Sequence, residues 1–362
     1  MGLYGAERWI LALIRNTLRP RVEFTVGAIK DSPGGEPPLC AAAHSMGFAT
    51  QAFEGFGKLS LRAIGQIRRF IVANRIDVIH THGYKSDVIA AIAARGTRCK
   101  IVSTPHGWST RAGLKLGAYE ALDRLVLGFF DAVAPLSREL YDGLARIPWI
   151  QRKLTFIPNA VDLVEIDSTT SLAPLVARSK AAGHRIVGYV GQLIPRKRLG
   201  TLIRAVAQLP DDVALFIVGD GPQRAELEHF AAEIGVDNRV TFLGFRDDRL
   251  ALVRGFDVFV LPSELEGIPR CLMESMALGT PVVAAAISGC RSLIEPGVTG
   301  ELFEVDDVDG LRSAIGRLLS DPERRQRIAA NAREHVREKF SAAAMSERYA
   351  DLYLRLCDKP SN

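Results

Sequence analysis

The chain has 362 residues, of which 48% are hydrophobic and 24% are charged, a composition typical of a globular protein of about two domains. No apolar run approaches the roughly 20 residues that a membrane-spanning helix needs, which argues against an integral membrane protein. The five cysteines are odd in number and widely spaced. They predict free thiols in a reducing cytoplasm rather than a disulfide framework or a metal site.

The positive charge is concentrated in the first half of the chain. Residues 1–165 contain 21 Lys and Arg against 14 Asp and Glu, whereas the remainder contains 25 against 27. This asymmetry indicates different partners for the two halves. No nucleic-acid-binding motif accompanies the basic residues, so we expect no nucleic acid partner. An anionic membrane surface would match the same charge.

The first half alternates between segments with helical and strand patterns, which is typical of an α/β domain with a parallel sheet. The helix predicted over residues 56–73 has a basic polar side that would suit either a membrane surface or plain solvent. The predicted helices cover residues 6–18, 56–73 and 86–94, and the predicted strands cover residues 22–28, 77–82, 100–104 and 131–137.

Three histidines follow or end these strands. His80 and His82 lie on one strand without a third ligand nearby, so a metal site is not expected. His106 follows the strand 100–104. Ligands bind at the carboxyl ends of parallel strands, so we expect His106 to contact substrate, with a structural histidine as the alternative.

The second half begins after residues 163–183, which the sequence predicts to be a linker. A strand over residues 186–190 leads into a basic run that contains Lys197. Gly219 and Gly221 lack the third glycine of the dinucleotide-binding fingerprint, which disfavours a nicotinamide-dependent dehydrogenase. Residues 307–357 have a helical pattern.

The most informative stretch has two glutamates, Glu266 and Glu274, around the beginning of a predicted helix. Glu266 would lie in the loop before the helix and Glu274 more than a turn inside it. The first N–H groups of such a helix, at residues 270–272, form an anion site. The two carboxylates beside it can accept hydrogen bonds from hydroxyls. A ligand with phosphates and sugar hydroxyls therefore fits this stretch, whereas a metal does not.

Residues 266–284 resemble the signature of the retaining glycosyltransferases of family 4, which has the form E-G-x-P-x-x-x-x-E-x-M-A-x-G-x-P-V-V-A. Further similar motifs are Asp77–His82, Thr104–Gly107 and the stretch Ile157-Pro158-Asn159. The resemblance covers nearly the whole chain and is strongest over residues 186–305.

The resemblance implies the GT-B fold: an α/β protein with two doubly wound Rossmann-like domains that face a cleft. Residues 1–165 would form the acceptor-binding domain and residues 166–345 the nucleotide-sugar-binding domain. The last helix, over residues 346–362, would return toward the N-terminal domain. Residues 2–9 resemble the loop that follows the first strand of the family. We therefore expect that this strand is missing, either because the true start lies upstream of Met1 or because the fold tolerates the gap.

The implied function is the transfer of a sugar, of hexosyltransferase type, from a nucleotide diphosphate sugar to a lipid-linked or polysaccharide acceptor with retention of configuration. No metal and no other cofactor is expected. The enzyme would be cytoplasmic, and peripheral contact with the inner face of an anionic membrane is compatible with the basic first half. The loop over residues 108–117 would lie on the acceptor side.

The resemblance also assigns roles to individual residues. His106 would border the reacting sugar, Glu266 would hold its hydroxyls, and Glu274 would hold the ribose hydroxyls. Lys197 and the helix N–H groups would hold the pyrophosphate, and Arg246 would border the base. The full predicted set comprises His106 and Glu266 as catalytic residues, and Gly5, Gln192, Arg196, Lys197, Arg246, Arg270, Cys271, Leu272 and Glu274 as donor-binding residues.

Two positions depart from the family pattern. Gln192 replaces an arginine at the phosphate site, where Arg196 or Arg198 would have to supply the charge, and Ser292 replaces a glutamate. These departures and the missing strand favour one alternative, a catalytically silent subunit of a polysaccharide assembly complex. A nucleotide-sugar epimerase on the same fold is a second alternative, against which the two-glutamate motif and the basic first half argue. The sequence identifies neither the base, the sugar nor the acceptor.

Overall fold

The computed structural model describes residues 5–17, 21–30, 34–55, 60–106 and 124–358. The chain divides into two compact units. Unit 1 comprises Met1–Asn159 together with Ala342–Asn362, and unit 2 comprises Ala160–Ser341. The chain therefore leaves unit 1 once and returns to it for its last helix.

Strands and helices alternate through the first part of unit 1. Its strands in the described ranges are Thr25–Lys30 (β1), Ala49–Glu54 (β2), Val78–Thr81 (β3), Lys100–Ser103 (β4) and Ala132–Val133 (β5). Its helices are Gly5–Asn16 (α1), Pro38–Ser45 (α2), Leu61–Ala73 (α3), Tyr84–Ala93 (α4), a 3-10 helix at Leu127–Phe129, Arg138–Ala145 (α5) and Pro148–Gln151 (α6).

The strands of unit 1 form two parallel sheets. One has the order β1-β2 and the other the order β3-β4-β5. Within the described residues, β1 pairs only with β2, and β3 pairs only with β4. Both sheets nevertheless contribute to one hydrophobic cluster, in which Phe53 of β2 and Ile101 of β4 are buried with Ile71 of α3 and Ile89 of α4.

Unit 2 contains the longer sheet. Its strands are Arg185–Val190 (β6), Val213–Val218 (β7), Val240–Gly244 (β8), Val258–Leu261 (β9), Val282–Ala285 (β10) and Glu301–Phe303 (β11). Its helices are Leu163–Ser168 (α7), Pro174–Ala181 (α8), a 3-10 helix at Pro195–Lys197, Leu199–Ala207 (α9), Arg224–Glu233 (α10), Arg249–Val253 (α11), Arg270–Leu278 (α12), Ser288–Arg291 (α13), Val308–Ser320 (α14) and Pro322–Lys339 (α15).

The six strands of unit 2 have the order β11-β10-β9-β6-β7-β8 and are all parallel. The chain winds outward from β6 to β8 and then restarts on the other side of β6 with β9. The topological switch point therefore lies between β6 and β9, where open α/β sheets bind ligands at the carboxyl ends of the strands. All residues of β7, β9 and β10 are buried, as continuous apolar strands of a sheet covered on both faces should be.

The structure corrects the predicted linker. Residues 163–183 lie inside unit 2 and contain α7 and α8. The side chain of Asp162 caps α7 by accepting a hydrogen bond from the Val164 amide at 3.1 Å. Pro174 begins α8, where its missing N–H is not needed. The polar run Ser168–Ser171, at the end of α7 and before α8, is the pattern that predicted a linker.

The helical pattern predicted over residues 307–357 corresponds to α14, α15 and a last helix, Ala342–Cys357 (α16). Helix α16 belongs to unit 1 and packs against α1, where the Ser346 hydroxyl donates to the Leu13 carbonyl at 3.0 Å. Its Tyr349 and Tyr353 are buried. Among the helices of the described ranges, none has both the length and the apolar character needed to cross a bilayer.

Candidate functional site

The topological switch point of unit 2 brings two predicted loops together. The loop after β6 ends in the 3-10 helix Pro195–Lys197, and the loop after β9 leads through Glu266 into α12. Because β6 and β9 are neighbours in the sheet, their loops leave it side by side. The amide of Glu264 accordingly donates to the carbonyl of Arg196 at 3.0 Å.

Lys197 and Glu266 meet where these loops touch. The Lys197 ammonium donates to Glu266 Oε1, and the two side chains are only 10% and 11% exposed. Arg196 Nη1 lies 3.8 Å from Glu266 Oε2 and donates to the Leu265 carbonyl at 3.0 Å. Two cationic side chains therefore flank one nearly buried carboxylate.

Two glycines allow the loops to pack this closely. A Cβ on Gly289, in α13, would lie 1.7 Å from the carbonyl oxygen of Gly267. Gly219 has a φ of +131°, and a Cβ there would lie 1.8 Å from the carbonyl oxygen of Gly191. No larger residue fits at either position without moving backbone, so both glycines hold the walls of the site in place.

The two arginines that could replace the missing charge at Gln192 have different surroundings. Arg198 donates through Nε to Glu264 Oε2 at 2.8 Å and also lies 3.7 Å from Asp306. Arg196 instead lies beside Glu266, and its side chain is 43% exposed. Of the two, Arg196 is therefore the one next to the Lys197–Glu266 pair.

The second glutamate of the motif is buried in an ion cluster. Glu274 Oε1 accepts hydrogen bonds from Arg249 Nη2 and from Arg270 Nε, both at 2.8 Å. Burial alone would raise the pKa of Glu274, but the charges of the two arginines outweigh it and hold the pKa at about 2. Glu274 is therefore ionised at neutral pH.

Glu165 completes this ion cluster from α7. Its two carboxylate oxygens lie 3.1 Å from Arg249 Nη2 and 3.3 Å from Arg270 Nη2. We use "ion cluster" below for Glu165, Arg249, Arg270 and Glu274. Sequence reasoning missed Glu165 and Arg249, because they lie 84 residues apart and share no local pattern.

Two buried polar atoms at this edge of the sheet have no hydrogen-bond partner within the described residues. They are Arg270 Nη1 and the hydroxyl of Ser263, which follows β9. A buried donor without an acceptor costs about 1–3 kcal/mol. Such a group at the beginning of a helix suits a ligand that brings hydrogen-bond acceptors.

Helix α12 begins at Arg270. Pro269, which the sequence predicts in the first helical turn, occupies the N-cap position directly before it. The Met273 amide donates to the Pro269 carbonyl at 3.2 Å, so the amides of Arg270, Cys271 and Leu272 precede the first helical hydrogen bond. Burial raises the pKa of the Cys271 thiol to about 12, which makes it an unsuitable nucleophile.

The other predicted site residues lie on further segments, apart from Gln192, which lies in the loop after β6. Arg246 follows β8 and forms two 2.7 Å hydrogen bonds with Asp248. The Gln192 carbonyl accepts a hydrogen bond from the Tyr189 hydroxyl at 3.0 Å, and Gln192 is exposed. Gly5 and His106 belong to unit 1, where Gly5 is the first residue of α1.

The three histidines of unit 1 form a cluster at the ends of β3 and β4. His82 Nδ1 lies 3.2 Å from His106 Nε2, and His80 Nδ1 lies 2.7 Å from the Tyr353 hydroxyl. His80 Nε2 lies 2.8 Å from Thr104 Oγ1. We use "histidine cluster" below for His80, His82 and His106. Trp9 packs against all three rings.

Burial lowers the pKa of each imidazole in the histidine cluster. The pKa of His80 falls to about 3, through burial first and then the nearby His106. The pKa of His106 is lowered in the same direction by the protein atoms packed around its ring, although one face of the residue is exposed. All three are therefore neutral at pH 7, and one ring donates its N–H to the other in the His82–His106 contact. Across the described ranges, no three His, Cys, Asp or Glu side chains lie where they could hold a metal ion. The predicted acceptor-side loop, residues 108–117, lies outside the described residues.

Two family models match the chain. One, described as Glycosyltransferase Family 4, matches residues 4–165, and the other, described as Glycosyl transferases group 1, matches residues 176–335. The chain is also 30% identical over 259 residues to a lipopolysaccharide core biosynthesis glycosyltransferase, LpsE, of Rhizobium meliloti, covering 70% of this chain and 75% of that protein. The chain belongs to the family 4, group 1 glycosyltransferases.

A second relative is the UDP-Gal:α-D-GlcNAc-diphosphoundecaprenol α-1,3-galactosyltransferase of Escherichia coli. It is 26% identical over 312 residues, which cover 81% of this glycosyltransferase and 79% of that protein. Among solved structures, the Anabaena protein HepE in complex with UDP-glucose superposes with a TM-score of 0.85 at 24% identity, covering 98% and 97% of the two chains. The likeness confirms the predicted GT-B fold class. These matches favour neither the silent subunit nor the epimerase.

Proposed function

We propose that this glycosyltransferase moves a sugar from a nucleotide diphosphate sugar to a lipid-linked or saccharide acceptor, without a metal and with retention of configuration. The observation that carries the proposal is the Lys197–Glu266 pair beside the beginning of α12. It combines a cation for phosphate with a carboxylate for sugar hydroxyls at the switch point of the sheet. The names of the relatives, which act in lipopolysaccharide synthesis or on a diphosphoundecaprenol-linked sugar, support the acceptor class and cell-envelope polysaccharide as the pathway class.

The donor diphosphate would take the place that Glu266 occupies beside Lys197. Lys197, Arg196 and the first amides of α12 would share the negative charge of the phosphates. Glu266, released from Lys197, would then accept hydrogen bonds from the sugar hydroxyls. Binding of the donor would thus replace the Lys197–Glu266 pair with a Lys197–phosphate pair, while sugar hydroxyls take over as hydrogen-bond donors to Glu266.

Glu274 would accept the ribose hydroxyls, as the sequence predicts. The ion cluster supports this role because Arg249 and Arg270 fix the carboxylate and keep it ionised. The unpaired Arg270 Nη1 and the Ser263 hydroxyl would find acceptors on the same ligand. The predicted contact of Arg246 with the base remains part of the proposal, and it would require Arg246 to leave Asp248 or to use its exposed face.

In the chemical step, the bond between the anomeric carbon and the diphosphate oxygen breaks and a bond to the acceptor oxygen forms on the same face. The acceptor proton passes to the departing phosphate, so no dedicated base is assigned. The cations at Lys197 and Arg196 stabilise the departing charge, which grows as the sugar approaches an oxocarbenium-like transition state. His106 would assist as a neutral hydrogen-bonding group on which turnover depends.

The test is a donor panel with the purified chain. UDP-, GDP- and ADP-sugars are incubated with and without candidate acceptors, and the released nucleotide is measured in the presence and absence of EDTA. Without acceptor, we expect slow hydrolysis of one donor class at a rate that EDTA does not change. With acceptor, we expect NMR of the glycosylated product to show the anomeric configuration of the donor. An inverted product would overturn the retaining mechanism. Turnover abolished by EDTA and restored by a divalent metal would overturn metal independence.

A further inference from the structure

Three large apolar side chains between residues 125 and 149 of unit 1 are exposed. Leu125 is 56% exposed, Phe129 72% and Trp149 54%. Their neighbours Leu127, Phe130 and Ile150 are almost completely buried in the core of the unit. The segments that carry them are therefore anchored by buried neighbours, and the three exposed side chains are not needed to fill the core.

Trp149 is held firmly against the segment that carries Leu125 and Phe129. Its ring packs on Gly128, where an added Cβ would lie 2.9 Å from Trp149 Cδ1. Its indole Nε1 donates to the Arg124 carbonyl at 3.4 Å, and Lys153 donates to the Gly128 carbonyl. The exposed tryptophan is thus fixed in one place, so little conformational entropy would be lost when a partner binds it.

Basic residues flank Trp149 in the sequence. Arg146 and Arg152 are exposed on either side of Trp149, and Lys153 follows directly. Residues 143–161 contain these three basic residues and no acidic one. We use "aromatic–basic surface" below for Leu125, Phe129, Arg146, Trp149 and Arg152.

We propose that the aromatic–basic surface binds the headgroup region of a membrane rich in anionic lipids. Tryptophan and phenylalanine insert into the boundary between headgroups and acyl chains, where the amphipathic indole is especially favoured. Arginines beside them attract anionic lipid, each adding roughly a factor of five in affinity. The proposal deepens the proposed action on a lipid-linked acceptor, because the enzyme would be held where such an acceptor resides.

Helix α3, whose basic side would suit either a membrane surface or plain solvent by its sequence, fits this role less well. Its exposed apolar residues are Leu61 and Val72, at 80% and 62% exposure. They lie eleven positions apart, or about 16 Å along a helix, and neither is aromatic. Arg62, next to Leu61, is paired with Glu54. Helix α3 therefore provides the matched control.

The experiment measures co-sedimentation of the full chain with vesicles of phosphatidylcholine alone and with vesicles that also contain about 30% of the anionic lipid phosphatidylglycerol. We expect binding to the anionic vesicles only. Phe129→Ser with Trp149→Ser, and separately Arg146→Gln with Arg152→Gln, should each weaken it at least about tenfold. Leu61→Ser with Val72→Ser should leave it unchanged. Equal loss in the α3 variant would overturn the assignment to this surface.

Tryptophan fluorescence reports directly on the contact in a Trp108→Phe background, which leaves buried Trp9 and exposed Trp149. Anionic vesicles should shift the emission to the blue, and brominated lipid should quench it. An emission spectrum that vesicles leave unchanged would overturn the proposal. So would a dimer, detected by light scattering, in which contact between two copies of the chain explains the blue shift of Trp149. Each variant is first shown to melt like the parent chain. Unchanged turnover of a water-soluble acceptor by the variants would separate the membrane contact from the proposed transferase activity.

Discussion

The ion cluster of unit 2 and the histidine cluster of unit 1 solve the burial of polar groups in opposite ways. In the ion cluster, two glutamates and two arginines stay charged because each carboxylate meets two guanidinium groups. In the histidine cluster, the imidazoles give up their charge and pair with one another or with hydroxyls. The first arrangement depends on the integrity of its pairs, whereas the second depends on pH.

The largest expected effect comes from breaking the ion cluster. Arg249→Ala would leave Glu274 and Glu165 with one cation fewer in a buried setting, so we expect the free energy of unfolding to fall by about 3–5 kcal/mol. Arg246→Ala is the matched control, because Arg246 is three positions away and pairs with Asp248 at the surface. Its cost should stay below about 1 kcal/mol. Chemical denaturation of both variants is the measurement, and equal midpoints would contradict the role given to Arg249.

The next effect concerns the Lys197–Glu266 pair, which is an ion pair like those of the ion cluster and which we propose to contact the donor. Lys197→Ala and Glu266→Gln should each lower turnover by about 100-fold or more. The first removes a cation proposed to stabilise the departing diphosphate, and the second weakens the proposed hydrogen bonds to the sugar hydroxyls. Arg312→Ala, on the exposed side of α14, is the control and should keep full activity. The measurement is the initial rate of each variant with the identified donor. A wild-type rate for Lys197→Ala would contradict the proposed role of Lys197 in donor binding.

A finer comparison separates Arg196 from Arg198, the two candidates for the charge missing at Gln192. Because Arg196 lies beside Glu266 and Arg198 is paired with Glu264, Arg196→Ala should weaken binding of the nucleotide diphosphate about tenfold more than Arg198→Ala. Calorimetric titration with the diphosphate gives both affinities. The opposite order would show that Arg198 leaves Glu264 when ligand binds.

The sequence predicted features that depend on residues close together in the chain. It did not predict contacts between segments that are far apart in the chain. The motif from Glu266 to Glu274 predicted the loop, the helix and the positions of both carboxylates, because glycine and proline mark such a turn at fixed spacing. It did not predict that Glu274 would meet Arg249 and Glu165, since that contact is made by three separate segments of the fold.

The same distinction applies to unit 1. The position of His80 in a strand and of His106 just after one followed from apolar runs and their polar ends. The hydrogen bonds of His80 to Thr104 and to Tyr353 did not, because Tyr353 comes from α16, 273 residues after His80. The aromatic–basic surface was also missed, since a hydrophobic pattern shows which residues are apolar but not which of them the fold leaves exposed.

The smallest expected effect is a pH dependence that should distinguish the two clusters. A histidine whose folded pKa lies below its unfolded value binds its proton mainly when the chain unfolds, so stability is full above about pH 6.5 and declines as the pH falls toward the folded pKa. For His80, with a folded pKa of about 3, the decline at pH 5.5 amounts to about 1 kcal/mol. Glu274, whose pKa is lowered to about 2, begins to lose its contribution only below about pH 4.5.

Hydrogen exchange followed by mass spectrometry can read the two units separately in the same sample. Between pH 7.5 and 5.5, after correction for the intrinsic exchange rates, peptides from β3, β4 and α16 should lose protection while those from α11 and α12 keep it. His80→Asn retains a polar partner for the Tyr353 hydroxyl but has no imidazole to protonate at this position, so it should reduce the response of unit 1. If unit 2 loses protection first, the neutral state of the histidine cluster is not what makes unit 1 sensitive to acid.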